Sequence, residues 1–216
     1  MLQAVQTCIR CTPVAQTVDR RARKKRETFR ALATAARELT LERGLECVTV
    51  EDIANAADVS VRTFFNYFSS KEEAIIGVEP SVVAALGAEL EARPAEEDPL
   101  TALLAVLVSD TEELPETARR WQLRAELVRR YPSLLPRHLA GLVEVERALV
   151  SALAARLGVD PERDLYPTLV VTSAVAVLRS TLAWWHDNDR PLPLADALRD
   201  AFATLATGVA NPPATT

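Results

Sequence analysis

The stretch TVEDIANAADVSVRTFFNYFSSK, residues 49–71, decides the fold. Its first part places apolar side chains at Val50, Ile53, Ala54 and Ala57, the spacing of one helical face. Thr49 stands as the N-cap, with Asp52 three residues on as its partner in a capping box. Ala57-Asp58-Val59 makes a turn, and Ser60 caps a second helix with apolar positions at Val61, Phe64, Phe65 and Phe68. Ser70-Lys71-Glu72-Glu73 reads as a further capping box that opens a third helix. Two short helices joined by such a turn have the helix-turn-helix shape, whose second helix fits the major groove of DNA. The outward positions of that helix are Val61, Arg62, Thr63, Asn66 and Tyr67. They offer a cation, hydroxyls and an amide, the groups that read base edges and hold phosphates. Thr49 and Lys71 stand at helix N-termini, where free N–H groups and the helix dipole attract anions. An ordinary helical hairpin with a solvated polar face satisfies the same pattern.

Over residues 25 to 78 the chain resembles the DNA-binding half of the TetR family of bacterial repressors. The matching residues are Glu42-Arg43-Gly44-Leu45, Val48-Thr49-Val50-Glu51-Asp52-Ile53-Ala54, Ala57-Asp58-Val59-Ser60, Thr63-Phe64-Phe65-Asn66-Tyr67-Phe68 and Lys71-Glu72-Glu73. Carried over residue by residue, the resemblance implies DNA contacts at Thr49, Ser60, Val61, Arg62, Thr63, Phe65, Asn66, Tyr67 and Lys71. Two positions depart from the family pattern. Asp58 stands where the turn usually has Gly, and Asp tolerates the left-handed conformation at modest cost. Phe65 stands where Tyr is frequent, so a phosphate hydrogen bond from that hydroxyl is lost, while apolar contact with a thymine methyl remains open.

Upstream, Arg20, Arg21, Arg23, Lys24, Lys25, Arg26 and Arg30 face only Glu27. Arginines in such an arm, with Arg23, Lys24, Lys25 and Arg26 foremost, neutralise phosphates or enter the adjacent minor groove. The alternative is a solvated helical turn. The whole chain, 216 residues long, carries a net charge of -5, which argues against a general nucleic-acid binder. Its distribution is uneven: residues 1–80 hold 12 Lys and Arg against 11 Asp and Glu, the remainder 13 against 19. A local basic arm on an acidic protein suits a specific DNA binder whose second domain has another task. The first helix continues through Phe29, Leu32, Ala33, Ala36 and Leu39 and ends at Gly44, with Leu45 tucking back.

Residues 1–19 read as a disordered lead, 20–80 as the DNA-binding domain, 81–210 as a helical ligand-binding and dimerisation domain, and 211–216 as a tail. The lead holds Cys8 and Cys11 in C-x-x-C spacing. Zinc needs about two further ligands, and Cys47, His138 and His186 are not clustered with them, so no metal is expected. A 49% hydrophobic chain with only 6 Gly, many Ala and many Leu points to an all-α protein. Its apolar runs read as too short for a membrane span, no signal peptide is visible, and a cytoplasmic location follows.

A fourth helix is expected from Lys71 to about Arg93, linking the head to the body, then a loop at Arg93–Pro99. Further helices are expected at Leu100–Thr111, Pro115–Arg130, Leu134–Leu157, Pro161–His186 and Leu192–Val209. The Pro161–His186 segment is apolar on several sides and must be covered on most of them. A partner subunit is one cover; a well-buried central helix in a monomer is the other. The family resemblance implies the former, with the last two helices pairing with their symmetry mates in a homodimer that reads a palindromic operator.

The candidate ligand-pocket residues are Trp121, Leu127, Tyr131, Tyr166, Thr172, Trp184 and Phe202, each of which core packing also explains, together with Arg124 from an arginine-rich run. The run from Arg119 to Pro132 sets five arginines around an apolar stripe, which fits a ligand with an anionic head and an apolar tail. A solvated arginine face paired with Glu112, Glu113, Glu116 and Glu126 fits it too. Residues 100 to 207 also resemble the TetR branch with an acyl-CoA-like ligand-binding domain, which includes the mycofactocin-system regulator.

No nucleophile elbow, Gly-rich phosphate loop or H-x-x-x-H motif occurs, so neither an enzyme nor a cofactor is expected. The reading is a sequence-specific transcriptional regulator, a repressor released by a small apolar or acyl-thioester-like ligand. An activator with the same head, or a helical ligand-binding or interaction protein without DNA binding, remain as alternatives.

Overall fold

The computed structural model describes residues 13–108, 123–188 and 192–208, and every regular element among them is helical. The lead with Cys8 and Cys11, the segment with Trp121, Arg119, Arg120 and the acidic residues before them, and the tail lie outside the described residues.

Helix α1 spans Pro13–Arg43 and is followed by a 3-10 turn at Leu45–Cys47. Helices α2 (Val50–Ala56), α3 (Val61–Phe65) and α4 (Lys71–Ile76) complete the head. The body comprises α5 (Pro80–Ala92), α6 (Pro99–Val108), α7 (123–130), α8 (Leu135–Leu157, entered through a 3-10 turn at Pro132–Leu134), α9 (Tyr166–Asp187) and α10 (Leu194–Thr207).

Three expectations are corrected. Helix α1 begins at Pro13, inside the stretch 1–19 read as a disordered lead, because no Pro or Gly between there and Arg43 breaks the helix. Its cations therefore project from a helix. The single connecting helix from Lys71 to Arg93 is two helices. Pro80 lacks an N–H and disfavours the α conformation before it, so Glu79 lies at φ -67, ψ 121, while Pro80 itself is accommodated in the first turn of α5. Helix α9 begins at Tyr166, not Pro161, and its 22 residues are long and apolar enough to cross a membrane by length and composition, contrary to the reading of the sequence. It lies in the bundle as a core helix: Val171, Ala174, Val175, Leu178 and Thr181 form one buried stripe.

The head is closed by a cluster of Phe29, Leu32, Ala36, Leu39, Leu45, Val48, Ile53, Phe64, Phe68 and Ile75. Phe68 stacks between the others, 4.6 Å from Phe29 and 5.6 Å from Phe64 between ring centroids. Each of its large side chains stabilises the fold by about 1.5–3 kcal/mol when removed from water. Leu127 from α7 and Leu134 from the following turn are fully buried in this same cluster. A boundary drawn at residue 80 is thus a boundary of the chain, and the core crosses it. The body's main cluster joins Leu90, Leu103, Val106, Leu149, Leu153, Val171 and Phe202. Gly158 ends α8 in the left-handed conformation (φ 68) that its missing Cβ permits.

Candidate nucleic-acid interface

The Thr49 cap, the Asp58 turn and the Ser60 cap are present at atomic level. The Thr49 hydroxyl accepts from the backbone N–H of Asp52 at 3.1 Å, and the Asp52 carboxylate accepts from the backbone N–H of Thr49 at 3.0 Å. The Thr49 hydroxyl and N–H donors hold the Asp52 carboxyl below the ordinary aspartate range, with Arg43, 3.6 Å away, adding to the effect. Asp58 turns the chain at φ 53, and the next residue, Val59, donates its N–H back to the Ala54 carbonyl at 2.9 Å. Ser60 then caps α3, accepting from the Thr63 N–H at 3.1 Å. Two caps and one left-handed residue set the angle between α2 and α3.

That angle buries Phe64 and Phe68 and turns the rest outward. Ser60, Arg62, Phe65 and Asn66 are exposed, and Val61, Thr63 and Tyr67 are half-buried at the rim. Phe65 is 56% exposed, yet its ring rests edge-on against Phe64 at 5.4 Å between centroids, so it is held rather than loose. Helix α3 ends at Phe65; Asn66 to Phe68 continue as hydrogen-bonded turns. Thr49 is exposed at the start of α2, with its hydroxyl engaged by Asp52. On α1, Arg23, Lys24, Lys25 and Arg26 are all exposed, Arg23 pairing loosely with Glu27 at 3.5 Å.

Lys71 has a different position from the one its sequence context suggested. Its ammonium donates to the carbonyl oxygens of Leu45 at 2.8 Å and Val48 at 3.0 Å, which occupies two of its three protons. The capping box at Ser70 is likewise half formed. Ser70 accepts from the Glu73 N–H, but the Glu73 carboxylate reaches past Ser70 to the N–H and hydroxyl of Ser69.

The proposed ligand residues fall into two groups. Arg124, Leu127 and Tyr131 lie where the body meets the head. Arg124 donates to the Gly77 carbonyl at 2.9 Å, and Leu127 belongs to the head's core, which corrects its assignment to a pocket wall. Tyr131 is half-buried on that core, under Arg130. Tyr166, Thr172 and Trp184 are strung along α9. Tyr166 and Trp184 are about half exposed and, eighteen positions apart, stand roughly 27 Å from each other along the axis. The Thr172 hydroxyl donates to the Thr168 carbonyl at 2.7 Å, and Phe202 is a core residue of the body. None of these side chains lines either of the following two cavities. An open groove of about 550 Å³ lies instead on the head, between Arg30, Thr34, Glu38 and Glu42 of α1 and Asp58 of the turn. A smaller cavity of about 180 Å³ lies at the junction, bordered by Tyr67, Glu73, Gly77, Arg137 and Glu144. Sequence reasoning had not singled out Arg137, Glu79 or Gly77, whose partners lie far away along the chain. Among the described residues no group of His, Cys, Asp and Glu could hold a metal ion.

Comparison with known proteins places both halves. Residues 32–75 match the family model described as bacterial regulatory proteins, tetR family, and residues 97–210 match that of the MftR C-terminal domain. The HTH-type transcriptional regulator TcmR of Streptomyces glaucescens is 40% identical over 172 residues, covering 77% of this chain and 76% of its own. The fatty acid degradation regulator FadR of Bacillus halodurans shares the fold, with a TM-score of 0.56 at 19% identity over 86% of this chain and 97% of its own. FadR of Thermus thermophilus, solved in complex with lauroyl-CoA, has a TM-score of 0.50 at 24% identity over 87% of this chain and 99% of its own.

Proposed function

The chain belongs to the TetR family of DNA-binding transcriptional regulators, which are not enzymes, and from that premise we propose that it is a repressor that a small ligand releases from a palindromic operator. The observation that carries this reading is the outer side of α3. Arg62, Phe65 and Asn66 are exposed there on a helix that two side-chain caps and the Asp58 turn hold in one orientation. Arg62 and Asn66 carry the donors and acceptors that discriminate base edges, and Phe65 suits a thymine methyl. Thr49, Ser60, Thr63, Tyr67 and the exposed cations of α1 face the phosphates. Val61 fills the rim of the contact.

A palindrome requires two heads about one DNA turn, ~34–36 Å, apart or a multiple of it. The surface that supports a homodimer is α9. Opposite its buried stripe it exposes Leu165, Leu169 and Trp184, at 72%, 57% and 49%. Large apolar side chains exposed at both ends of one helix, with the small Ala176 and Ala183 exposed between them, suit a contact with another protein. With α10 beside it, α9 suits a second copy.

The effector class is an apolar or acyl-thioester-like molecule. The resemblance of residues 100 to 207 to the TetR branch with an acyl-CoA-like ligand-binding domain supports this, as does the lauroyl-CoA bound by the Thermus protein of the same fold. Such a ligand releases DNA only through a higher affinity for a body conformation that misplaces the heads. A transcriptional regulator of this kind acts in the cytoplasm.

The test is selection of bound fragments from a random duplex pool, followed by titration of the winning duplex against salt. An enriched palindrome with a steep salt slope is expected, and acyl-CoAs of graded chain length then release the labelled duplex. A folded dimer that enriches no sequence, with and without acyl-CoA present, would overturn the reading in favour of a helical binding protein that does not use DNA.

A further inference from the structure

The connection between head and body is unusual in one respect. Helices α4 and α5 are separated by Gly77-Val78-Glu79, with Gly77 at φ -54, ψ 144. A continuous helix transmits orientation through its own stiffness; a three-residue extended link does not. Something other than the backbone must then set the angle of the head.

Glu73 on α4 occupies the point where that angle is decided. One carboxylate oxygen accepts from the backbone N–H of Ser69 at 2.7 Å and from its hydroxyl. Ser69 follows Phe68, whose N–H donates to Phe64 in α3, so this side of Glu73 is tied to the end of the recognition helix. The other oxygen accepts from the guanidinium of Arg137, on α8 of the body. The body therefore reaches the recognition helix through two side chains. Leu127 and Leu134 also join the two parts, but apolar contact is non-directional, whereas charge-assisted hydrogen bonds fix direction. The cavity of about 180 Å³ beside Tyr67, Glu73 and Arg137 leaves that seam loosely filled. Arg124 on Gly77 and Arg30 on Glu79 (3.2 Å) secure the link itself.

We infer that Arg137 is a positioning residue for DNA recognition: through Glu73 and Ser69 it sets the angle at which the body holds the recognition helix, and so the spacing of half-sites a dimer accepts. This rests on the DNA-binding reading above. Arg137 itself touches no DNA.

The experiment uses the full-length protein and four duplexes: the selected operator, the same half-sites with one base pair inserted, with one removed, and a single half-site. At 10–10.5 base pairs per turn, one base pair rotates a half-site by roughly 35°. Wild type should prefer the native spacing. Arg137→Ala should lose about tenfold in affinity for the native operator, the loss of pre-organisation. Its preference over the altered spacings should shrink towards parity, with half-site affinity and melting temperature within about twofold and a few degrees of wild type. Arg137→Lys, which keeps the charge, should recover part of the preference. Glu73→Gln, which keeps an acceptor for Ser69 but loses the ion pair, should behave as Arg137→Ala does. Arg137→Ala with undiminished spacing preference overturns the inference. So does a variant whose half-site and operator affinities fall together, which would mark a merely structural role. A wild-type protein that binds no duplex at all defeats the DNA-binding reading, a separate outcome.

Discussion

The ammonium of Lys71 donates to the carbonyl oxygen of Leu45 at 2.8 Å, joining the first turn of α4 to the 3-10 turn that follows α1 across 26 residues. The Val48 carbonyl, at 3.0 Å, takes a second proton. The side chain thus closes the head as a brace. Lys71→Met should lower the head's stability by about 2 kcal/mol, the scale of hydrogen bonds to a charged group, as read from urea unfolding. The slope of log affinity against log salt should stay at its wild-type value. A slope reduced by about one would show instead that the remaining proton reaches a phosphate.

Asp58 is the one non-glycine residue with positive φ among the described residues, at φ 53. The left-handed conformation costs an L-residue roughly 1–2 kcal/mol, less for Asp. Asp58→Gly should raise stability by less than about 1 kcal/mol, the relief of the left-handed penalty being partly offset by glycine's greater entropy loss. Asp58→Val, β-branched, should lower it by more than about 1 kcal/mol. Thermal melts of the three proteins decide the matter; an Asp58→Val protein as stable as wild type would mean the turn is remodelled.

Adjacent phenylalanines in α3 should separate stability from recognition. Phe64 is fully buried, and its truncation to Ala should cost about 3–5 kcal/mol. Phe65, 56% exposed, should cost less than about 1 kcal/mol as Phe65→Ala while weakening operator binding. Paired measurements of unfolding and duplex affinity test this, and equal losses of stability in the two variants would contradict it.

Stability should fall with acidity in two stages. Burial, then the charges of Arg124 and Arg179, hold the His138 imidazole below its ordinary value. The unfolded chain therefore takes up the proton first, near pH 6.5, and the stability present above that pH declines as pH falls towards the folded value. Glu73 is pushed up by burial, but Ser69 and Arg137 outweigh this and hold it low; Asp52 is held low chiefly by Thr49. Their contribution is complete above about pH 5 and is lost progressively as pH falls through the folded values. His138→Gln should flatten the profile between pH 5 and 7 and leave the acid limb intact. A variant with an unchanged profile over pH 5–7 would assign that limb to another group.

What the sequence by itself determined is the head. The Thr49 and Ser60 caps, the Asp58 turn and the Gly44 stop each act within a few residues, so residue type and spacing suffice to specify them. The apolar face of α1 follows from the same short-range periodicity. The break before Pro80 was also local and legible, and was missed because the apolar spacing runs on across it. Tertiary structure alone decided the rest. Lys71 finds its carbonyls 26 residues back, Glu73 meets Arg137 across 64 residues, and Leu127 of the body completes the core of the head. Likewise α9 reads as apolar on several sides, yet only packing divides it into a buried stripe and the exposed face of Leu165, Leu169 and Trp184. Periodicity states that a face will be buried. Which partner buries it depends on how rigid helices dock, a property of the assembled chain that no local window contains.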